Sequence, residues 1–154
     1  MKRKTSITAA AMAAALAAVI GPVAPAQAGG SCTGGCSETI NESHVGAIAF
    51  RNWCRSGDLT GAETSTQPTC TVEGVPQSTK LLAAWTGRTP VGEDWDGFRV
   101  DAGWCYRVFF HSYIWGDWWH NYNQSNKTTH SWVKVSNDAT AYINQQKQGS
   151  CPAS

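Results

Sequence analysis

Hydrophobic and polar residues alternate with a period of two through much of the second half of the chain, and this predicts strands. From Trp104, the even set is Trp104, Tyr106, Val108 and Phe110, and the odd set is Cys105, Arg107 and Phe109. Aromatic and β-branched residues of this density suit a pleated surface. Both sets carry aromatics, so the strand is expected to be central and covered on two sides. Gly116-Asp117 interrupts the run, Trp118 to Tyr122 resumes it, and Asn123 to Asn126 is a turn cluster. His130 to Val135 alternates again, with His130, Trp132 and Lys134 opposed to Ser131, Val133 and Val135. After the turn Ser136-Asn137-Asp138, Ala139 to Asn144 fits a last strand.

The first half carries less pattern. Gly29 to Ser43 is rich in Gly, Ser and Thr and reads as an extended arm. Val45 to Phe50 is apolar enough for a short strand. Arg55 to Pro68 is polar, with Gly57, Gly61 and Pro68, and reads as a loop. Cys70 to Glu73 suits another strand, and Gly74 to Ser78 turns the chain. Lys80 to Trp85 (Lys-Leu-Leu-Ala-Ala-Trp) is the one helical-looking stretch after the N-terminal region, and Thr86 to Asp94 is expected to be a loop. Short strands separated by frequent turns predict a mostly β fold: a small antiparallel β-sandwich with disulfides and an extended N-terminal arm. Strands do not alternate with long helices, which argues against a parallel α/β sheet.

The N-terminal region changes the picture. Lys2, Arg3 and Lys4 precede an apolar stretch from Ala9 to Ile20, then Gly21-Pro22 and Ala26-Gln27-Ala28. Positive start, apolar middle and small-residue cleavage site are the layout of a secretory signal peptide. The apolar run falls short of the ~20 residues that span a bilayer. The expected organisation is a signal peptide over 1–28, the arm over 29–43 and a disulfide-stapled β domain over 44–154. Three of the twelve Lys and Arg lie in the signal, leaving nine against eleven Asp and Glu, a formal charge of −2. Such a balance gives no electrostatic basis for binding nucleic acid or anionic lipid.

All six cysteines lie beyond the signal: Cys32, Cys36, Cys54, Cys70, Cys105 and Cys151. An even number in an exported chain reads as a disulfide set, and six cysteines admit about 15 pairings. The expected one is Cys32–Cys36, Cys54–Cys70 and Cys105–Cys151, the last tying the C-terminal tail to the central strand. No Cys-x-x-Cys favours zinc instead.

The aromatic block Tyr113, Trp115, Trp118, Trp119 and Tyr122 is the main candidate for function. Large rings dominate small cores, but Trp and Tyr also dominate binding hot spots. Neighbours in a strand face opposite ways, so Trp118 and Trp119 cannot both enter one core. The candidate binding residues are therefore Trp115, Trp118, Trp119, His120 and Tyr122. His111, His120 and His130 lack the close spacing of a metal site. Glu93, Asp94, Asp96 and Asp101 lack the helix–loop–helix calcium pattern and read as a solvated loop. Two carboxylates also suffice for glycoside hydrolysis, and His120 or His130 with Asp94, Asp96 or Asp117 would be the pair for another hydrolase. There is no Gly-x-Ser-x-Gly elbow and no phosphate-binding glycine loop. No metal, cofactor or catalytic residue is expected.

Two resemblances add to this. His120-Asn121-Tyr122-Asn123, Ser125-Asn126-Lys127-Thr128-Thr129-His130-Ser131, and Val133-Lys134-Val135 with Asn137 resemble the lactococcin (nine-seven-two type) secreted bacteriocins over about a quarter of the exported chain. The N-terminal half and the six cysteines depart from that pattern. In outline, a cysteine-bearing arm before a β domain is similar to the small adaptor subunit of actinobacterial umbrella toxin particles. These resemblances imply a secreted, non-enzymatic binding protein acting in interbacterial antagonism, whose partners are other secreted proteins of a complex. The adaptor likeness implies that the arm reaches into one partner and that a sheet edge or groove receives another. A carbohydrate-binding module on a cell-surface glycan, a secreted hydrolase, and a protease inhibitor using Arg55–Pro68 are the alternatives.

Overall fold

The computed structural model describes Cys32 and residues 35–152. The expected signal peptide over 1–28, and residues 29–31 and 33–34 of the expected arm, lie outside the described residues. Twelve strands follow in order: β1 (Glu38–Asn41), β2 (Ala47–Phe50), β3 (Glu63–Thr64), β4 (Thr71–Val72), β5 (Val75–Pro76), β6 (Thr79–Leu82), β7 (Gly87–Arg88), β8 (Gly97–Val100), β9 (Trp104–Ser112), β10 (Gly116–Asn123), β11 (Ser131–Lys134) and β12 (Ala139–Gln148). Two five-stranded sheets form, ordered β10-β9-β12-β1-β7 and β3-β11-β8-β2-β6, with β4-β5 as a separate hairpin. Pairing is antiparallel except that β1 runs parallel to β12. Among the described residues no helix is long and apolar enough to cross a membrane.

Side chains of both sheets meet in one core. Tyr106, Val108, Phe110, Tyr122, Ala141 and Ile143 of the first sheet pack with Ala49, Leu82, Phe98, Val100 and Val133 of the second. The even set of β9 therefore points inward, as its alternation required. The odd set is not covered as expected. Phe109 and Arg107 are half-exposed and His111 is exposed; Cys105 is buried at the disulfide end. A smaller cluster of Phe50, Trp53 and Trp132 seals the outer side of the second sheet under the segment that follows β2.

Three further expectations are corrected. Lys80 to Trp85 is not helical: Thr79–Leu82 is strand β6, paired with β2, and Trp85 turns the chain at φ 70. Leu and Ala favour helix only weakly, and pairing along β2 with burial of Leu82 outweighs that preference. From Glu38 the expected arm is extended, but as β1, inserted between β12 and β7. The loops around 55–68 and 86–94 contain the short strands β3 and β7. The disulfides are Cys32–Cys36, Cys54–Cys70 and Cys105–Cys151, as expected, and no cysteine is free. Such bridges are compatible with an oxidising, extracellular setting.

β12 carries a bulge at Asn144, where the register with β9 shifts between Ile143 and Gln145. One extra residue reverses which side chains face inward. Before it, Ala139, Ala141 and Ile143 enter the core. After it, Gln146 does.

Candidate functional site

The β9–β10 hairpin ends in Tyr113, Ile114 and Trp115, which are 65%, 67% and 63% exposed. Their backbone is held from below. Ser112 Oγ donates to the Asp138 carboxylate and accepts from the Ile114 and Trp115 amides at 3.2 and 3.0 Å. The Tyr113 amide donates to the Asp138 carbonyl at 3.2 Å. Gly116, at φ 78, supplies the left-handed residue that starts β10. The N-terminal segment enters beside this tip: the Cβ position of Gly35 lies 3.4 Å from the Tyr113 hydroxyl.

The second surface is the outer face of the first sheet. Register places Trp119 beside Phe109, Phe109 beside Tyr142, and Tyr142 beside Ile40. Ring centroids lie 5.1 Å apart for Trp119–Phe109 and 5.9 Å apart for Phe109–Tyr142. Arg107 stacks over the Trp119 indole at 4.6 Å, a favourable cation–π geometry. On one side of this row run Asp117, His111 and Thr140; on the other run Asn121, Arg107 and Gln145. Arg107, Trp119, His120 and Asn121 line a shallow groove of about 150 Å³ at the β10 edge.

The five candidate residues separate accordingly. Trp115 sits at the tip and Trp119 on the outer face, both exposed. Trp118 is half-buried and stacks on Phe110 at 5.0 Å. Tyr122 is core; burial pushes its phenol up, and its hydroxyl donates to the Gly61 carbonyl at 3.0 Å. His120 is exposed on the edge strand, its ring 4.4 Å from that of Tyr122. Parity separates Trp118 from Trp119 in the sequence. Phe109, Tyr142 and Ile40 join Trp119 only through strand order, which no local pattern encodes. Ile114 carried no signal beyond its aromatic neighbours.

The remaining candidates have partners of their own. His111 Nδ1 meets Asp117 at 2.6 Å, and both are about half-exposed. His130 Nδ1 accepts from the Ala102 amide at 3.1 Å and lies 3.3 Å from Asp101. Glu93 pairs with Arg51 and accepts from the Trp95 indole. Asp94 accepts from Ser37 Oγ at 2.7 Å. Among the described residues no three His, Cys, Asp or Glu converge on a metal position.

Asp96 accepts from the Trp53 amide at 2.7 Å. Burial, assisted by Asp94, pushes its carboxyl up from 3.8 to about 6, against the opposing pull of the Trp53 amide and Lys134. The folded state thus holds this proton more tightly than the unfolded chain. The resulting stabilisation is complete below pH 3.8 and is lost as the pH rises through about 6. Asp96→Asn keeps an acceptor for Trp53 and removes the charge. It is expected to raise stability at pH 7 by about 1–2 kcal/mol over the parent, since one pKa unit corresponds to about 1.4 kcal/mol. Urea unfolding of both proteins at pH 4 and pH 7, disulfides intact, checks this; parallel pH profiles would refute it.

Comparison with protein-family models, curated proteins and solved structures finds no match.

Proposed function

We propose that this chain is a secreted, non-enzymatic binding domain that joins other exported proteins, as an adaptor subunit of a toxin complex or a bacteriocin-like protein. The observation that carries the reading is the hairpin tip. Three consecutive large side chains stand in solvent, while Ser112 and Asp138 fix the backbone beneath them. Clustered exposed apolar side chains mark interaction sites. A pre-set backbone lowers the ordering cost of docking. The entry of the N-terminal segment next to Tyr113 brings arm and tip to one end of the domain, as suits a joint. The His–Asp pairs lie on open surface, where a partially exposed charge pair contributes little.

Co-isolation from culture medium of the producing cells tests this. The parent is expected to elute with another exported protein. Trp115→Ala is expected to weaken that association at least tenfold, as truncating an interface hot spot does, with the circular dichroism spectrum unchanged. A parent that elutes alone, or a partner retained equally by Trp115→Ala, would overturn it.

A further inference from the structure

A different surface carries a different ligand. We propose that the outer face of the β10-β9-β12-β1 layer is a binding platform for a polysaccharide, with Trp119, Phe109 and Tyr142 as its stacking row. The inference does not rest on the hairpin tip.

Four observations lead to it. First, the row runs across the strands, so its rings recur at the interstrand spacing: 5.1 and 5.9 Å between centroids. A chain of pyranose rings has a comparable repeat, whereas the side chains of a bound peptide strand alternate along the strand axis. Second, successive rings are tilted by 47° and 45°. The twist of the sheet contributes about 20–25° per strand to this, side-chain torsions supply the rest, and the result suits a polymer whose successive rings rotate about their linkages. Third, the row lies between two polar rows. Asn121 and Gln145 offer amides that both donate and accept, Thr140 a hydroxyl, and the His111–Asp117 pair a ring and a carboxylate. Sugar rings need this combination: an apolar face to stack, and an edge of hydroxyls that requires donors and acceptors together. Fourth, Arg107 clamps the Trp119 indole, and Trp119 is still 49% exposed. The guanidinium covers part of one indole face and fixes the ring, and about half of the residue's surface stays open to a ligand. The groove by His120 and Asn121 continues the surface to the sheet edge, so a chain longer than the row is accommodated.

Retention on insoluble cellulose, chitin and purified peptidoglycan, with calorimetric titration of soluble oligosaccharides of the retained polymer, tests the proposal on the full exported protein. The parent is expected to be retained by at least one polymer. Trp119→Ala and Tyr142→Ala are each expected to weaken binding about fivefold or more, because each removes one ring of the stacking row. Both side chains stand outside the core, and an unchanged circular dichroism spectrum and urea midpoint verify the fold. Trp115→Ala is expected to leave retention unaltered, which separates this site from the protein-docking tip. No retention on any of the three polymers would overturn the proposal. So would retention that survives both row variants, or a co-isolated protein that Trp119→Ala displaces while no polymer binds.

Discussion

Gly97→Ala is expected to remove a large part of the stability of this domain, about 4 kcal/mol or more, the largest effect of any single methyl addition considered for this chain. Gly97 is the first residue of β8, between β11 and β2, and pairs with Lys134 on one side and Phe50 on the other. A Cβ there would lie 1.9 Å from the Val133 carbonyl oxygen and 2.6 Å from the Phe50 ring. The ring could swing aside. The carbonyl cannot, because it belongs to β11, whose Val133 is fully buried in the core. β8 and β11 would have to part, and with them the packing of Phe98 and Val133. Overpacking a close-packed core costs about 1–3 kcal/mol when side chains alone must give. Here backbone must give, and a loss of about 4 kcal/mol or more is expected, against a total of about 5–15 kcal/mol for an ordinary domain. Protein yield and near-ultraviolet circular dichroism of the variant decide the matter, beside Gly46→Ala as a control, where an added Cβ would meet nothing closer than the tip of the Leu81 side chain at 3.3 Å. A Gly97→Ala protein within about 1 kcal/mol of the parent in urea would mean that β8 and β11 are not paired in this register.

What the sequence reveals follows from where side-chain identity and chain direction agree. β9, and β12 up to Asn144, alternate because one face of each meets the core, while β11 is buried on both faces and β10 enters the core at Trp118 and Tyr122. The sandwich could be expected from them; the disulfide pairing could not, since six cysteines leave about 15 pairings open. β1 was hidden for a specific reason: its inward residues are polar. Ser37, Thr39, Asn41 and Ser43 are buried, and Ile40 faces outward. Inverted patterning of this kind reads as a loop. The bulge at Asn144 hides the end of β12 in the same way, since it turns a polar residue, Gln146, into the core. The stacking row was legible only as far as Trp119. Its other members, Phe109 and Tyr142, come from β9 and β12, which are separated in sequence and adjacent because β12 returns to pair antiparallel with β9. The helical misreading of Lys80 to Trp85 has the opposite origin. Good local helix formers there are overridden by pairing with β2.

That buried polar face has an energetic consequence, most sharply at Asn41. Asn41 is fully buried. Its amide nitrogen donates to the carbonyls of Val45, Ala83 and Leu82 at 2.8, 3.0 and 3.3 Å. Its oxygen accepts from the Ser43 amide and hydroxyl at 3.2 and 2.9 Å. Gln146 closes the network, donating to Ser43 Oγ at 2.6 Å and to the Val45 carbonyl at 3.0 Å. One side chain thereby joins β1, the β1–β2 turn, the end of β6 and, through Ser43, β12. Asn41→Ala removes both halves of the amide and leaves buried groups unmatched, each costing about 1–3 kcal/mol. Val45 keeps two other donors and Ala83 keeps the Gly87 amide, so the expected total is about 3–4 kcal/mol rather than the sum of all contacts. Asn41→Asp sharpens the test. It preserves the acceptor for Ser43 but sets a carboxylate against three carbonyl oxygens. At pH 7 it is expected to be at least as damaging as alanine. Because burial and those carbonyls favour the neutral acid, its folded state would hold the proton more tightly than the unfolded chain, and stability would return as the pH falls toward 4. Urea unfolding of parent, Asn41→Ala and Asn41→Asp at pH 7 and pH 4 separates the contributions. An aspartate variant as stable as the parent at pH 7, or one insensitive to pH, would show that the amide nitrogen does not hold these three segments together.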